Sequence, residues 1–344
     1  MAIPIKKALT FRASSIGDCL MGKYLLENIH EQYPNARYGV VVANRSSMIR
    51  DLFAAYPWIE VIEANRRSPR ALFPLMKDFY SSDLVVTQYA GKHGGNFGFA
   101  SKLIAWVLAK RGNLVGFTDT SRWNGMLYDH LLPVRPDQAV AEHEREALRA
   151  VRLSVPLPFP TLDFIRNDAV LPTFGLKTGE YIITHFFAGG AGRSIGPEKS
   201  RELLLALRHT IPKDISILVS GAAADRECAL AIANGIEARV IAGEATLQEM
   251  MNLIKQSCGV VSVDTGVAHM TAQLWKPLLV LRTCLGPNWW FPQQYGLDAS
   301  LAIYSCDVAC ARGHITRAYP ACINSIDMQS VAQEAIRRFL PQIS

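Results

Sequence analysis

Residues 259–270, Gly-Val-Val-Ser-Val-Asp-Thr-Gly-Val-Ala-His-Met, run from an apolar stretch through a short polar turn into a second apolar-spaced stretch. Gly259–Val263 reads as a strand buried on both faces, because it is β-branched and does not alternate with polar residues. Gly266 permits a tight turn, and Asp264 or Thr265 can cap the helix that follows. The same pattern opens the chain. Ala8–Phe11 is apolar, Arg12-Ala13-Ser14-Ser15-Ile16-Gly17-Asp18 is a turn, and an amphipathic segment runs from Cys19 to about Gln32 before Tyr33-Pro34-Asn35 stops it.

Working outward from these two stretches, strand-like runs recur with helical windows between them. In the first half they are Tyr38–Ala43, Ile59–Ile62, Leu84–Thr87 and Leu114–Phe117. In the second they are Tyr181–Phe187, Ile215–Ser220, Arg239–Ile241 and Leu278–Leu281, and a helical pattern spans Met328–Leu340. Strands alternating with helices predict parallel sheets covered on both faces, an α/β class. Between Leu153 and Pro172 four prolines (Pro156, Pro158, Pro160 and Pro172) punctuate the chain, as in an extended linker. Its 344 residues therefore divide into two similar α/β halves.

Composition narrows the function classes. Hydrophobic residues are 49% and charged residues 19% of the chain, which excludes wholesale disorder. The net charge of +6 suits an anionic ligand or surface and is too small to argue for nucleic acid. The N-terminus reaches polar residues too soon for a signal-peptide core, and no apolar run is long enough to span a membrane. Seven cysteines without a leader predict a reduced, cytoplasmic setting. Cys306, Cys310, His314 and Cys322 lie near one another in sequence, but their spacing matches no zinc pattern, so buried free thiols are expected and no metal.

In parallel sheets ligands sit at the carboxyl ends of strands, in the loops entering helices. Four such loops carry polar chemistry. Asp264-Thr265-Gly266 could present helix N–H groups to a diphosphate, or could be a plain cap. Gly189–Pro197 is glycine-rich, with Gly190 and Gly192 allowing close backbone approach and Arg193 adding a cation; it is neither a Walker loop nor a dinucleotide fingerprint. Asp225, in Ser220-Gly221-Ala222-Ala223-Ala224-Asp225, could accept from ribose hydroxyls, although a helix cap is the plainer reading. Asp18 could be a general base or a helix-start acid stabilised by the dipole. Arg66, Arg67 and Arg70 form a basic cluster that is either a solvated face or a grip on anionic groups. No Asp-x-Asp occurs, which removes the commonest metal anchor for a sugar nucleotide.

Taken together, Arg12–Asp18 near the start and Val261–His269 in the second half resemble glycosyltransferase family nine, the bacterial lipopolysaccharide heptosyltransferases. Tyr33-Pro34-Asn35-Ala36 and Pro277 extend the resemblance over most of the chain. It implies a GT-B type fold: two Rossmann-like domains facing across a cleft, at 1–160 for the acceptor and 161–327 for the nucleotide sugar. A final helix at 328–344 would pack back on the N-terminal domain. It implies inverting, metal-independent transfer of a heptose from ADP-heptose to an anionic lipopolysaccharide-type acceptor at the inner-membrane surface. By the same resemblance Asp18 is the catalytic base. Asp264, Thr265, Gly266, Asp225, Gly190, Gly192 and one of Arg193 or Lys199 meet the donor. Ser15, Gly17, Arg66, Arg67, Arg70 and His143 meet the acceptor. Rival readings are a same-family transferase using another sugar or a protein acceptor, an epimerase of related architecture, and a non-catalytic nucleotide-sugar-binding protein.

Overall fold

A computed structural model describes residues 4–64, 72–88, 98–119, 121–135, 138–189, 193–282, 301–304, 323 and 325–341. The chain separates into two compact units, the first ending at Thr161 and the second beginning at Leu162. In the first, β1 (Lys7–Arg12), β2 (Arg37–Val42), β3 (Ile59–Glu63), β4 (Leu84–Thr87), β5 (Leu114–Phe117) and β6 (His130–Leu132) form one sheet in the order β3-β2-β1-β4-β5-β6. In the second, β7 (Tyr181–His185), β8 (Ser216–Ser220), β9 (Arg239–Val240), β10 (Gly259–Val263), β11 (Leu278–Leu281) and β12 (Leu301–Tyr304) run β12-β11-β10-β7-β8-β9. Every pairing is parallel. Numbered within its own unit, each sheet has the order 3-2-1-4-5-6 of the dinucleotide-binding fold.

Two strands, β6 and β12, are additional to those expected. His130-Leu131-Leu132 is short and only partly buried, so its residues carry no core-strand signature. Leu301–Tyr304 follows a stretch without helical periodicity, so the succession of strand and helical window that marks the other strands is missing there.

The first sheet is covered on both faces. The helices α1 (Ile16–His30) and α6 (Val140–Ala150) pack together on one of them. On the other, α3 (Leu72–Phe79) and α4 (Phe99–Leu108) bury Leu75, Phe79, Ala105 and Leu108 against Leu9, Val85 and Leu114. The short helices α2 (Ser46–Leu52) and α5 (Asn124–Leu127) complete this unit. Ser15 caps α1 by accepting from the Asp18 N–H, and Leu20, Met21, Tyr24, Leu25 and Ile29 are buried along it. A buried ion pair ties α6 to β1. The Arg12 guanidinium donates to both Glu144 oxygens, at 2.5 and 2.7 Å, and to Thr10 Oγ1 at 2.6 Å. A Cβ at position 22 would come within 2.8 Å of Arg12 Nε, so Gly22 is what lets α1 close over that guanidinium.

The second unit contains α7 (Val170–Thr173), α8 (Pro197–Thr210), α9 (Arg226–Ala233), α10 (Leu247–Gln256), α11 (Gly266–Gln273) and α12 (Met328–Phe339). The final helix, α12, completes the core of the second unit. Val331, Ala335 and Phe339 lie on one stripe against α8 and β10, among Leu203, Leu207 and Val261. The lack of a side chain at Gly259 leaves room for the Phe339 ring on β10.

Candidate functional site

In each sheet the strand order reverses between its first and fourth strands, where the loops diverge and leave a crevice at the carboxyl ends. The first unit puts β1 and β4 at that point, and the second puts β7 and β10 there. The residues singled out in the sequence for catalysis and diphosphate binding fall on the loops leaving these four strands, or on the helices they enter.

At the first switch point Asp18 lies in the first turn of α1, half-buried. Both its carboxylate oxygens are engaged: Ser15 Oγ donates to Oδ2, and Gln88 Nε2 donates to Oδ1 at 2.5 Å. Gln88 follows β4 and is buried; its own Oε1 accepts from the Ala13 N–H at 2.7 Å, and its N–H donates to Phe11 O. The amide therefore bridges the loop after β1 to the carboxylate at the helix start. Sequence reasoning passed over Gln88, which is 70 residues from Asp18 and signalled only by lying just past a strand. Cys19, the neighbouring thiol, is no rival nucleophile: burial, reinforced by the Asp18 charge, pushes its pKa well up.

At the second switch point Asp264 follows β10 and is buried, Thr265 caps α11 by accepting from the Val267 N–H at 3.2 Å, and Gly266 begins the helix. The His269 ring, one turn on, places Nε2 3.8 Å from Asp264 Oδ1. Burial lowers the His269 pKa despite that carboxylate, and the nearby Arg193 charge lowers it further. Arg193 thus belongs with the Asp264–His269 cluster, exposed in the loop after β7. Lys199 stands on α8, pairs with Glu202 at 2.7 Å and exerts its charge on Asp327 at the start of α12. Of the two candidate cations, Arg193 is the one beside the turn.

Asp225 accepts from the Ala222 N–H at 2.8 Å, a local cap. The loop is held close by Gly243, whose φ of +75° and approach to the Ala223 backbone exclude any other residue without strain. His185, at the end of β7, donates from Nδ1 to Ser220 Oγ at 3.0 Å. Its pKa is lowered to about 4 by burial, so the ring is neutral.

His143, expected at the acceptor, lies on α6. His143 is 0% exposed. Its Nε2 accepts from the Arg135 N–H at 3.1 Å and its Nδ1 meets Ala139 O at 3.2 Å. Both ring nitrogens meet the backbone, because α6 presents Val140, His143, Ala147 and Leu148 inward. Ser15 and Gly17 remain at the Asp18 turn. Arg66, Arg67 and Arg70, Gly190 and Gly192, and the Cys306–Cys322 group lie outside the described residues. Among the described residues no group of three or more His, Cys, Asp or Glu could hold a metal ion, and no helix is long and apolar enough to cross a membrane.

Residues 201–295 match the model of glycosyltransferase family 9 (heptosyltransferase). No curated protein matches the sequence. The fold is shared with E. coli ADP-heptose lps heptosyltransferase II, at 20% identity and a TM-score of 0.73 over 98% of this chain and 100% of that one. E. coli heptosyltransferase WaaC with ADP matches at 20% identity and 0.68, over 96% and 99%. The dodecameric iron-containing heptosyltransferase TibC of E. coli, in complex with ADP-D-beta-D-heptose, matches at 12% identity and 0.56, over 99% and 77%. The chain thus shares the GT-B fold of these heptosyltransferases along its whole length, and within its second unit residues 201–295 are similar to glycosyltransferase family 9.

Proposed function

We propose that the enzyme moves a heptose from ADP-heptose to a hydroxyl of an anionic, lipopolysaccharide-type acceptor, with inversion and without a metal. The reading rests on the Asp18 carboxylate, held from both sides by Ser15 and Gln88 at a switch point. In this reaction Asp18 takes the proton of the acceptor hydroxyl as that oxygen bonds to the anomeric carbon. The bond from that carbon to the donor diphosphate breaks, and its electron pair leaves with ADP. Attack opposite to the leaving group inverts the centre. Ser15 and Gln88 fix the carboxylate, and both donate to its charged form.

The leaving diphosphate gathers charge, which the other switch point is suited to stabilise. The N-terminal end of α11 carries the free helix N–H groups and the positive end of the dipole, and Arg193 adds a planar cation. A buried, neutral His269 beside Asp264 gives this turn a polar wall that adds no second cation. We assign Asp264, Thr265, Gly266 and Arg193 to the donor, with Asp225 beside the ribose through its second oxygen. Gly190, Gly192 and Lys199 extend the donor loop and α8. Ser15, Gly17, Arg66, Arg67 and Arg70 are assigned to the acceptor. The second unit would then be the nucleotide-sugar domain and the first the acceptor domain. The place of action we propose is the cytoplasmic face of the inner membrane, where such acceptors are extended.

The test is incubation of the full chain with ADP-heptose and heptose-deficient lipopolysaccharide, with and without a chelator, followed by NMR of the anomeric centre. The reading expects inverted product at the same rate in both. Turnover only with another nucleotide sugar overturns the donor. Activity lost to chelator and restored by iron overturns the metal-free step.

A further inference from the structure

Helix α4, Phe99-Ala100-Ser101-Lys102-Leu103-Ile104-Ala105-Trp106-Val107-Leu108, wears its polarity inside out. Its only charged residue, Lys102, is 1% exposed. The ammonium donates to Asp119 Oδ2 at 2.5 Å and Asn124 Oδ1 at 2.6 Å and lies 5.9 Å from the Tyr128 ring centre. Burial alone would raise the Asp119 pKa, but Lys102, the Ser121 N–H and Asn124 together hold it below the usual carboxylate range, so the pair is charged. With Lys102, Ala105 and Leu108 turned inward, Phe99, Leu103, Trp106 and Val107 fall at i, i+4, i+7 and i+8 on the outer face. All four are exposed, Trp106 by 53%.

The patch continues onto the next connection. Trp123 is exposed with its ring centre 6.1 Å from that of Phe99, and Met126 on α5 is 73% exposed. A contiguous outward face of two tryptophans, a phenylalanine, leucine, valine and methionine is not explained by the fold of the unit that carries it. Cations fringe it. Arg111 follows the end of α4 in exposed chain, and the Arg122 guanidinium lies 5.1 Å from the Trp123 ring centre. Lys110 pairs with Asp83 and is still half-exposed. Of the acids on these connections, Asp119 is turned in to Lys102, and Asp129 accepts from the Leu114 N–H.

We propose that this face docks on an anionic lipid bilayer, with α4 lying in the headgroup–acyl boundary. The composition selects that occupant. Tryptophan and phenylalanine favour the boundary region, and arginines at the margin meet anionic headgroups. A protein partner would be matched by a patch whose charges are complementary pairs. The margin charges beside the aromatic face that are unpaired among the described residues, Arg111 and Arg122, are instead of one sign, and the exposed Asp129 is tied to the Leu114 N–H. Topology gives docking a purpose. The connection to α4 leaves the carboxyl end of β4, and the one to Trp123 leaves the carboxyl end of β5, the same sheet end that holds Gln88 and Asp18. A bilayer met through Phe99 and Trp123 therefore adjoins the sheet end that carries the candidate base, the end at which a lipid-anchored glycan would have to arrive. This last link rests on the transfer reading; docking itself does not.

The test is co-sedimentation of the full chain with phosphatidylcholine vesicles, with and without phosphatidylglycerol, and no donor present. Binding is expected to require phosphatidylglycerol. Leu103→Ser with Trp106→Ser should lower partitioning by at least about tenfold, since both apolar side chains lose their insertion. Arg111→Ala and Arg122→Ala should each lower it by about fivefold. All four side chains are exposed, so melting temperatures should stay at the parent value. Transfer to a delipidated, water-soluble acceptor should also be unchanged in the serine pair, which separates failure of docking from failure of the transfer reading. The proposal is overturned if the parent chain stays in the supernatant with phosphatidylglycerol, or if the serine pair sediments as the parent does. It is overturned too if the patch substitutions dissolve a dimer seen by light scattering, which would assign the face to a second copy.

Discussion

Replacing Gln88 tests whether Asp18 is a positioned base or a helix-start acid. The amide makes two bonds that matter here, 2.5 Å to Asp18 Oδ1 and 2.7 Å from the Ala13 N–H. Gln88→Leu removes a hydrogen bond to a charged acceptor, worth about 1.5–3 kcal/mol. Since the bond is made to the ionised carboxylate, its loss should disfavour the charged form and raise the Asp18 pKa. Gln88→Glu should raise it further, because two carboxyls at that separation must share a proton. The assay is kcat/KM for transfer against pH, beside donor affinity by calorimetry. The acid limb should move to higher pH in both variants, further in Gln88→Glu, with donor affinity retained. A purely structural role would lower kcat or stability without moving the limb. An unmoved acid limb in Gln88→Glu would refute the argument, because the titrating group would then not be Asp18.

Two further predictions concern stability. Glu144→Leu strands the buried Arg12 guanidinium and should lower stability by about 3–5 kcal/mol, while Arg12→Met with Glu144→Leu should recover most of it; additive losses measured by denaturant unfolding would contradict an ion-paired core. His185 sits at about 4 when folded against 6.5 unfolded, so the unfolded chain binds the proton first. Its contribution is intact above pH 6.5 and is lost as pH falls toward 4, by up to about 3 kcal/mol. His143 and His269 are lowered in the same direction, so His185→Asn should flatten the melting curve against pH only in part; an unchanged slope would contradict the burial argument.

The parts of the fold legible in the sequence were those whose signal is local. Gly259–Val263 and Ala8–Phe11 are strands because nothing in them alternates, and their turns declare themselves through Gly266 and Ser15. What escaped depends on partners. The stripe of α12 shows in Val331, Ala335 and Phe339, but periodicity does not say which surface receives it, and the open space above Gly259 decides that. His143 was readable as core, since Val140, His143 and Ala147 share one helical face, and the family pattern drew attention from that spacing. Helix α4 misleads for the opposite reason. Its apolar composition suggests burial, and only the Lys102–Asp119 pair reveals which face is inside. Gln88 was out of reach because β1 and β4 are adjacent only once the sheet forms.

The central claim is that the Asp18 carboxylate accepts the acceptor's proton, and Asp18→Asn addresses it most directly. Asparagine keeps the size and part of the bonding to Ser15 and Gln88 but takes no proton at neutral pH. As a helix-start charge alone, Asp18 is worth about 0.3–1 kcal/mol, a small change in melting temperature. As a general base it is worth about a hundredfold to ten-thousandfold in rate. Single-turnover transfer, measured beside ADP affinity and melting temperature, should show a rate fallen by that factor with the other two near the parent values. Near-normal transfer with a lowered melting temperature would contradict the account and leave Asp18 a helix cap.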